Sequence, residues 1–253
     1  MIRMMRKKRV VLEFILLFYF LSGSLLCAAE PDWDEYDFIL QQYTHNKTEH
    51  GLSYVAVDYR ALLKQPKFNA LIEQITNFPL KKLHTREEKL AFYINAYNIF
   101  AIKIVLHHWP VTSIKDIGGW FNPVWDKPVA KLDGRMHSLN DIEHKILRPM
   151  NEARIHMAIV CASKSCPDLR QEAYRAHLLD QQLTQQSHRF LNNTSKGLKI
   201  QTNKIQLSKI FSWFAEDFAD NGGVIAFVQR HHNKLNKKHI IDDYFDYNWD
   251  LNQ

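Results

Sequence analysis

Between Thr85 and Trp109 the chain reads TREEKLAFYINAYNIFAIKIVLHHW, its longest apolar segment downstream of the N-terminal leader. Any fold of this chain has to bury that segment. Thr85 is placed to cap it as a helix, Glu88 completes a capping box three residues on, and Pro110 marks its end.

Shorter elements surround it. PDWDEYDFILQQYT reads as an entry helix, and SYVAVDYRALL as a short strand passing into a helix. PVAKLDGRMHSL alternates about Asp133-Gly134, a type I′ hairpin signal. SLNDIEHKIL restarts a helix with Ser138 as cap. IHMAIV, apolar apart from His156, predicts a central strand. A helix is expected from about Ala173 to Leu191, followed by a second hairpin in LKIQTNKIQL and a helix capped by Ser208 in LSKIFSWFAEDF. The architecture implied is α+β: a small, mostly antiparallel sheet with hairpins, wrapped by several helices.

The leader MIRMMRKKRVVLEFILLFYFLSGSLLCAA has a basic head, a short apolar run and a small-residue exit, the pattern of a secretory signal peptide over residues 1–29. The apolar run is shorter than the roughly 20 residues of a membrane span, so a retained anchor fits less well. A lipid-modified Cys27 fits less well again, because bulky Leu26 stands where a small residue is expected. Cleavage after Ala29 leaves one domain, residues 30–253, in a periplasmic or secreted setting. It also takes five of the 33 basic residues and one of the 27 acidic ones, leaving 28 and 26. The basic balance of the whole chain is therefore largely the leader. No basic tract remains that would suit nucleic acid. His107-His108 and His231-His232 have no partner at metal-ligand spacing and read as solvated pairs, so neither metal nor cofactor is expected.

Taken in order and spacing, AFYINAYNIFAIKIVL, SLNDIEHKIL, RIHMAIVCASKSCPDLR, SKIFSWFAEDF and DYNWDLN resemble the bacterial and plant family called domain of unknown function 547. Tyr93 stands where that family usually shows Trp, and Asn248 where it usually shows Asp. The resemblance implies one domain with the Cys161–Cys166 region as a signature. It carries no activity to transfer.

Helical phase marks polar residues on apolar faces. At about 100° per residue, Leu139, Ile142, Ile146 and Leu147 share a face that includes Glu143, with His144 on its shoulder. Asp217 shares the stripe of Ile210, Phe211, Phe214 and Phe218, and Asn98 is flanked in projection by Ala91, Ile102 and Val105. A carboxylate pointed at a core must find donors or stay protonated. With Asn95 and His156 these residues make a set of buried polar groups that either bind loop backbone or line a cleft.

Cys161 and Cys166 are the only cysteines beyond the leader, and an even count in an oxidising compartment favours a disulfide. So short a loop gains little entropy from closure, so the bond would serve to fix a turn. The rival reading makes Cys161 or Cys166 a nucleophile, with Lys164 favouring the thiolate and His137, His144 or Glu143 near enough in sequence to assist. His156 fits poorly as a direct partner on the strand reading, since five residues of strand put it about 17 Å from Cys161 on the opposite face. A reversible disulfide would satisfy both readings. Two functions stay open: an exported binding or accessory module for a small-molecule, peptide or envelope ligand, and a thiol-dependent hydrolase or acyl-transferase.

Overall fold

The computed structural model describes residues 30–119, 122–235 and 238–253, so the expected leader, residues 1–29, lies outside the described residues. Helix α1 (Asp34–Tyr43) leads into the hairpin β1 (Thr44–Glu49) and β2 (Leu52–Val57), then α2 (Tyr59–Leu62) and α3 (Pro66–Asn77). Helix α4 (Arg86–His107) follows. Its capping box forms: Glu88 N–H donates to Thr85 Oγ1 at 3.1 Å, and Thr85 N–H to Glu88 Oε2 at 2.9 Å. The helix is long and apolar enough to cross a membrane, but 78% of that window is buried inside the protein, which makes it a core helix here. Phe92, Ile99, Phe100 and Val105 are among its fully buried side chains, each contributing about 1.5–3 kcal/mol by leaving water.

Beyond the 3₁₀ turns after α4 comes the hairpin β3 (Ala130–Leu132) and β4 (Arg135–His137). Asp133 and Gly134 take φ of 48° and 76°, the left-handed pair that a type I′ turn requires. Ser138 then caps reciprocally with Asp141, whose N–H donates to Ser138 Oγ at 3.0 Å while Ser138 N–H donates to Asp141 Oδ2 at 2.9 Å. The helix that follows winds wide, as a π-helix over Asp141–Leu147.

The chain departs from expectation at IHMAIV. Ala153–Met157 form a 3₁₀ turn, and the residues after it run to Cys161 with no strand partner among the described residues. The cause is Asn98. Its Nδ2 donates to Ala158 O at 3.0 Å and its Oδ1 accepts from Val160 N–H at 2.8 Å. One side-chain amide thus satisfies the backbone groups that a neighbouring strand would have paired. Asn95, one turn earlier on α4, grips Tyr174 the same way, donating to its carbonyl at 2.8 Å and accepting from its N–H at 2.9 Å. That grip holds residues 173–175 irregular, so helix α5 (Leu179–Asn192) starts later than the predicted Ala173.

The C-terminal portion adds β5 (Leu198–Gln201), β6 (Lys204–Leu207), α6 (Ile210–Trp213), a 3₁₀ run over Ala215–Asn221, α7 (Gly223–His231) and β7 (Ile240–Tyr244). Ser208 Oγ accepts from Ile210 N–H at the start of α6. The single sheet expected is replaced by three small ones: β1–β2 and β3–β4, both antiparallel, and β5–β6–β7, in which β7 runs parallel to β6. The α+β class holds, with α4 rather than a sheet at the centre. Two apolar clusters result, a large one around α4 and a smaller one built on Phe190, Phe211, Phe218 and Phe227.

Candidate functional site

A cleft of about 190 Å³ opens where the two clusters meet. Its walls come from α4 (Tyr97), the π-helix and the residue that precedes it (Asn140, Glu143, His144), the 3₁₀ turn and the irregular strip after it (His156 to Pro167), the α6 region (Ile210, Trp213, Phe214) and the segment after β7 (Tyr247, Trp249).

Behind His144 and His156, which line one wall, lies an ionic lattice. Arg148 grips Asp217 with two parallel bonds, Nε to Oδ2 at 2.6 Å and Nη2 to Oδ1 at 2.7 Å. His156 Nε2 donates to the same Oδ2 at 2.6 Å, and its ring stacks on Phe214 with centroids 4.1 Å apart. Burial alone would raise the Asp217 carboxyl, but the bonds from His156 and Arg148 outweigh it and hold the group well below the usual carboxylate range. Arg148 Nη1 also donates to His144 Nδ1 at 2.9 Å. A guanidinium can only donate, so His144 Nδ1 is the acceptor and Nε2 carries the proton. Burial first, then the Arg148 charge, keep His144 neutral by lowering its pKa. His144 therefore offers the cleft a donor rather than a base.

Glu143 behaves oppositely to Asp217. It is 7% exposed, and Tyr97 OH, 3.3 Å from Oε2, is the hydrogen-bond partner of its carboxyl among the described residues. Burial pushes its pKa up to about 7, with Tyr97 and Arg148 only partly opposing. Two acids on neighbouring elements are thus split into a fixed anion and a group that exchanges its proton near neutrality.

The rim is aromatic. Trp213 and Trp249 stack with centroids 5.7 Å apart, Tyr247 lies 4.5 Å from Trp249, and Trp125 meets Trp249 edge-on at 5.5 Å. Lys115 Nζ rides over the Trp249 ring at 4.4 Å. Trp213 is 48% exposed, a large apolar surface left open to solvent at the mouth.

The floor carries the cysteines, which are joined in a disulfide with Cα atoms 6.2 Å apart. Their loop is held from two sides. Lys196, buried, donates to the carbonyls of Lys164 (3.1 Å) and Cys166 (2.7 Å) and to Asp168 Oδ1 (2.8 Å). Residues 248–252 run along the other side: Lys164 N–H donates to Asp250 O, Asn248 N–H to Ser165 Oγ, and Asn252 N–H to Ala162 O at 3.0 Å. That last bond helps hold Ala162 at a left-handed φ of 62°, a conformation that costs a residue with a Cβ about 1–2 kcal/mol.

Residues 80–191 match the family described as "Protein of unknown function, DUF547". The match supports that domain family. The matched segment spans α4, the π-helix, the disulfide and most of α5, whereas Asp217, the Trp213–Phe214 wall and the Tyr247–Trp249 rim lie downstream of it. No curated protein and no solved structure matches the chain.

Of the residues singled out in the sequence, Glu143, His144, His156, Cys161 and Cys166 line this cleft together. Asp217 joins them through His156 and Arg148. Asn95 and Asn98 do not line it; they bind loop backbone beneath it, and His137 is not in its wall. The separation argued for His156 and Cys161 assumed a strand, and the 3₁₀ turn removes that premise. Even so, the hydrogen-bond partners of the two sulfurs among the described residues are Tyr247, Ser163 and the Cys161 N–H, with no histidine among them. Lys164, expected to favour a thiolate, instead pairs with Glu49 at 2.7 Å. His231 and His232, expected to be solvated, are buried, His231 against Phe227. Sequence reasoning missed Arg148 and the aromatic rim. Arg148 stands four residues after His144, the spacing of helical neighbours, and the aromatics of YNW and SWF were a signal left unused.

Proposed function

We propose that the protein is exported and acts as a binding module whose cleft takes a ligand with a flat apolar face and hydrogen-bonding edges, as a sugar ring of an envelope glycan has. One observation carries the reading: Trp125, Trp213, Tyr247 and Trp249 interlock around a cleft whose inner wall presents Glu143 and the His144 donor. Rigid aromatic faces supply contact area at little entropic cost, and a few convergent polar groups set orientation. The basic, apolar leader supports export. The bonded cysteines favour a binding module over a thiol hydrolase, which needs a free thiolate beside a base.

Titration of tryptophan fluorescence with a soluble N-acetylglucosamine oligosaccharide tests this. A saturable change is expected, with Trp213→Ala weakening binding by about tenfold or more, as loss of a central aromatic contact does. A flat titration for the parent overturns the reading.

A further inference from the structure

The two sulfurs of a structural disulfide have equivalent needs, and neither requires strong donors. Here the surroundings are unequal. Both cysteines line the cleft, but Cys161 is half-buried whereas Cys166 is 3% exposed. Cys161 N–H points at Cys166 Sγ at 3.0 Å, Tyr247 OH lies 3.2 Å from it and Ser163 Oγ 3.4 Å. The same hydroxyls are no nearer Cys161 Sγ, at 3.6 and 3.4 Å, and Cys161 receives no backbone N–H among the described residues. Burial raises the Tyr247 phenol, so it remains protonated and able to donate. Ser163 Oγ is also 3.3 Å from Tyr247 OH, so it can support the phenol when it is not itself bonded to sulfur. Divalent sulfur is a weak acceptor, but a thiolate is a strong one. Donors converging on Cys166 are matched to the anion it becomes when the bond opens.

We propose that Cys161–Cys166 is an exchange-active disulfide that accepts electrons from a substrate cysteine thiol, with Cys161 the sulfur attacked and Cys166 the leaving thiolate. The substrate thiolate forms a bond to Cys161 Sγ from the cleft. The Cys161–Cys166 bond breaks, and its electron pair passes to Cys166 Sγ, held by the Cys161 N–H, Tyr247 and Ser163. A second thiol of the same substrate then attacks the substrate sulfur of the mixed disulfide and releases Cys161 as thiolate, leaving the substrate oxidised to a disulfide and both cysteines reduced. The same two steps in reverse, with a substrate disulfide as oxidant, restore the starting bond. A better-stabilised leaving thiolate leaves faster, and a stabilised reduced form makes its disulfide the stronger oxidant. The position of the bond explains access: it floors an open cleft, while Lys196 and residues 248–252 hold the loop in place when the bond is cut.

The full-length folded protein is equilibrated in glutathione buffers, and the adduct is mapped by mass spectrometry. The expected outcome is a mixed disulfide on Cys161. In Cys161→Ala, the Cys166 thiol should ionise about one unit or more below the ordinary 8.5. Tyr247→Phe should shift the equilibrium toward the oxidised form by about tenfold, the factor that one unit of lost thiolate stabilisation gives. Ser163→Ala should shift it the same way by less, and serves if Tyr247→Phe does not fold. An adduct on Cys166, a Cys166 thiol titrating near 8.5, or an equilibrium unmoved in the folded variants overturns the proposal. Oligosaccharide titration of the oxidised protein reads the ligand assignment separately, so either idea can fail without the other.

Discussion

Helix α4 and the strip from Ala158 to Cys166 meet through Asn98, yet they are built on opposite terms. The helix satisfies its own backbone from within and is fixed by an apolar surface and a local cap. Over residues 158–162 the strip pairs with no neighbouring strand among the described residues, and it depends on side chains and chain segments distant in sequence, namely Asn98, Lys196 and residues 248–252. The difference separates scaffold from site. A self-satisfied element can be buried anywhere, whereas a strip held by a few directed bonds can present sulfurs and polar atoms to a cleft in one fixed pose.

The comparison breaks most directly at Asn98. Asn98→Ala strips partners from two buried backbone groups at once, and at about 1–3 kcal/mol for each the expected loss is about 4 kcal/mol. Urea melts of the variant would check this. A variant within about 1 kcal/mol of the parent would mean that the strip holds without α4.

How much of this could be read in the sequence follows the same division. Thr85–Glu88 and Asp133–Gly134 were legible because cap and turn chemistry is settled among residues three or four apart. The apolar faces placing Glu143 and Asn98 inward were legible from period alone. IHMAIV was misread because its apolarity is real while the partner of its backbone lies about sixty residues away, in a side chain. The bidentate Arg148–Asp217 pair, 69 residues apart, leaves no local trace either.

The next largest effect concerns Glu143. With a folded pKa raised to about 7, the folded protein keeps a proton that the unfolded chain releases near its ordinary value of about 4.3. The native state therefore binds more protons between those values. Stability should fall as pH rises from about 4 to 7 and then level off, a cost of about 3–4 kcal/mol. Glu143→Gln keeps an acceptor for Tyr97 and removes the titration. It should be more stable than the parent at pH 8 by up to that amount, with the gain vanishing near pH 4. Thermal melts across pH that run parallel for the two proteins would contradict the assignment.

Asp217 carries the opposite sign. Its folded pKa is depressed, so its stabilisation is present above the unfolded value of about 3.9 and is lost as pH falls through the folded one. Asp217→Asn should cost about 2 kcal/mol near neutrality, through the weakened bonds to Arg148 and His156, and less in strong acid. Urea melts at pH 7 and pH 3 would show it, and a variant equal to the parent at both would count against the lattice. The smallest stability effect belongs to Trp213, half-exposed at the rim. Trp213→Ala should shift thermal stability by no more than about 0.5 kcal/mol, and a larger loss would make the rim part of the scaffold.

The strip at residues 248–252 also sets when the cleft can exist. Its bond from Asn248 to Ser165 spans 83 residues, and the ring of Trp249 reaches back to Trp125. A chain emerging from the ribosome can cap α4 and close its hairpins as they appear. It cannot build the rim, or seat the disulfide loop in register, until the downstream strip has been made. Closing so long a loop costs entropy that only the finished contacts repay, and non-local pairing of this kind is slow. The cleft is thus a late product of folding, and under the export proposed above it would be completed only after the chain had crossed the membrane.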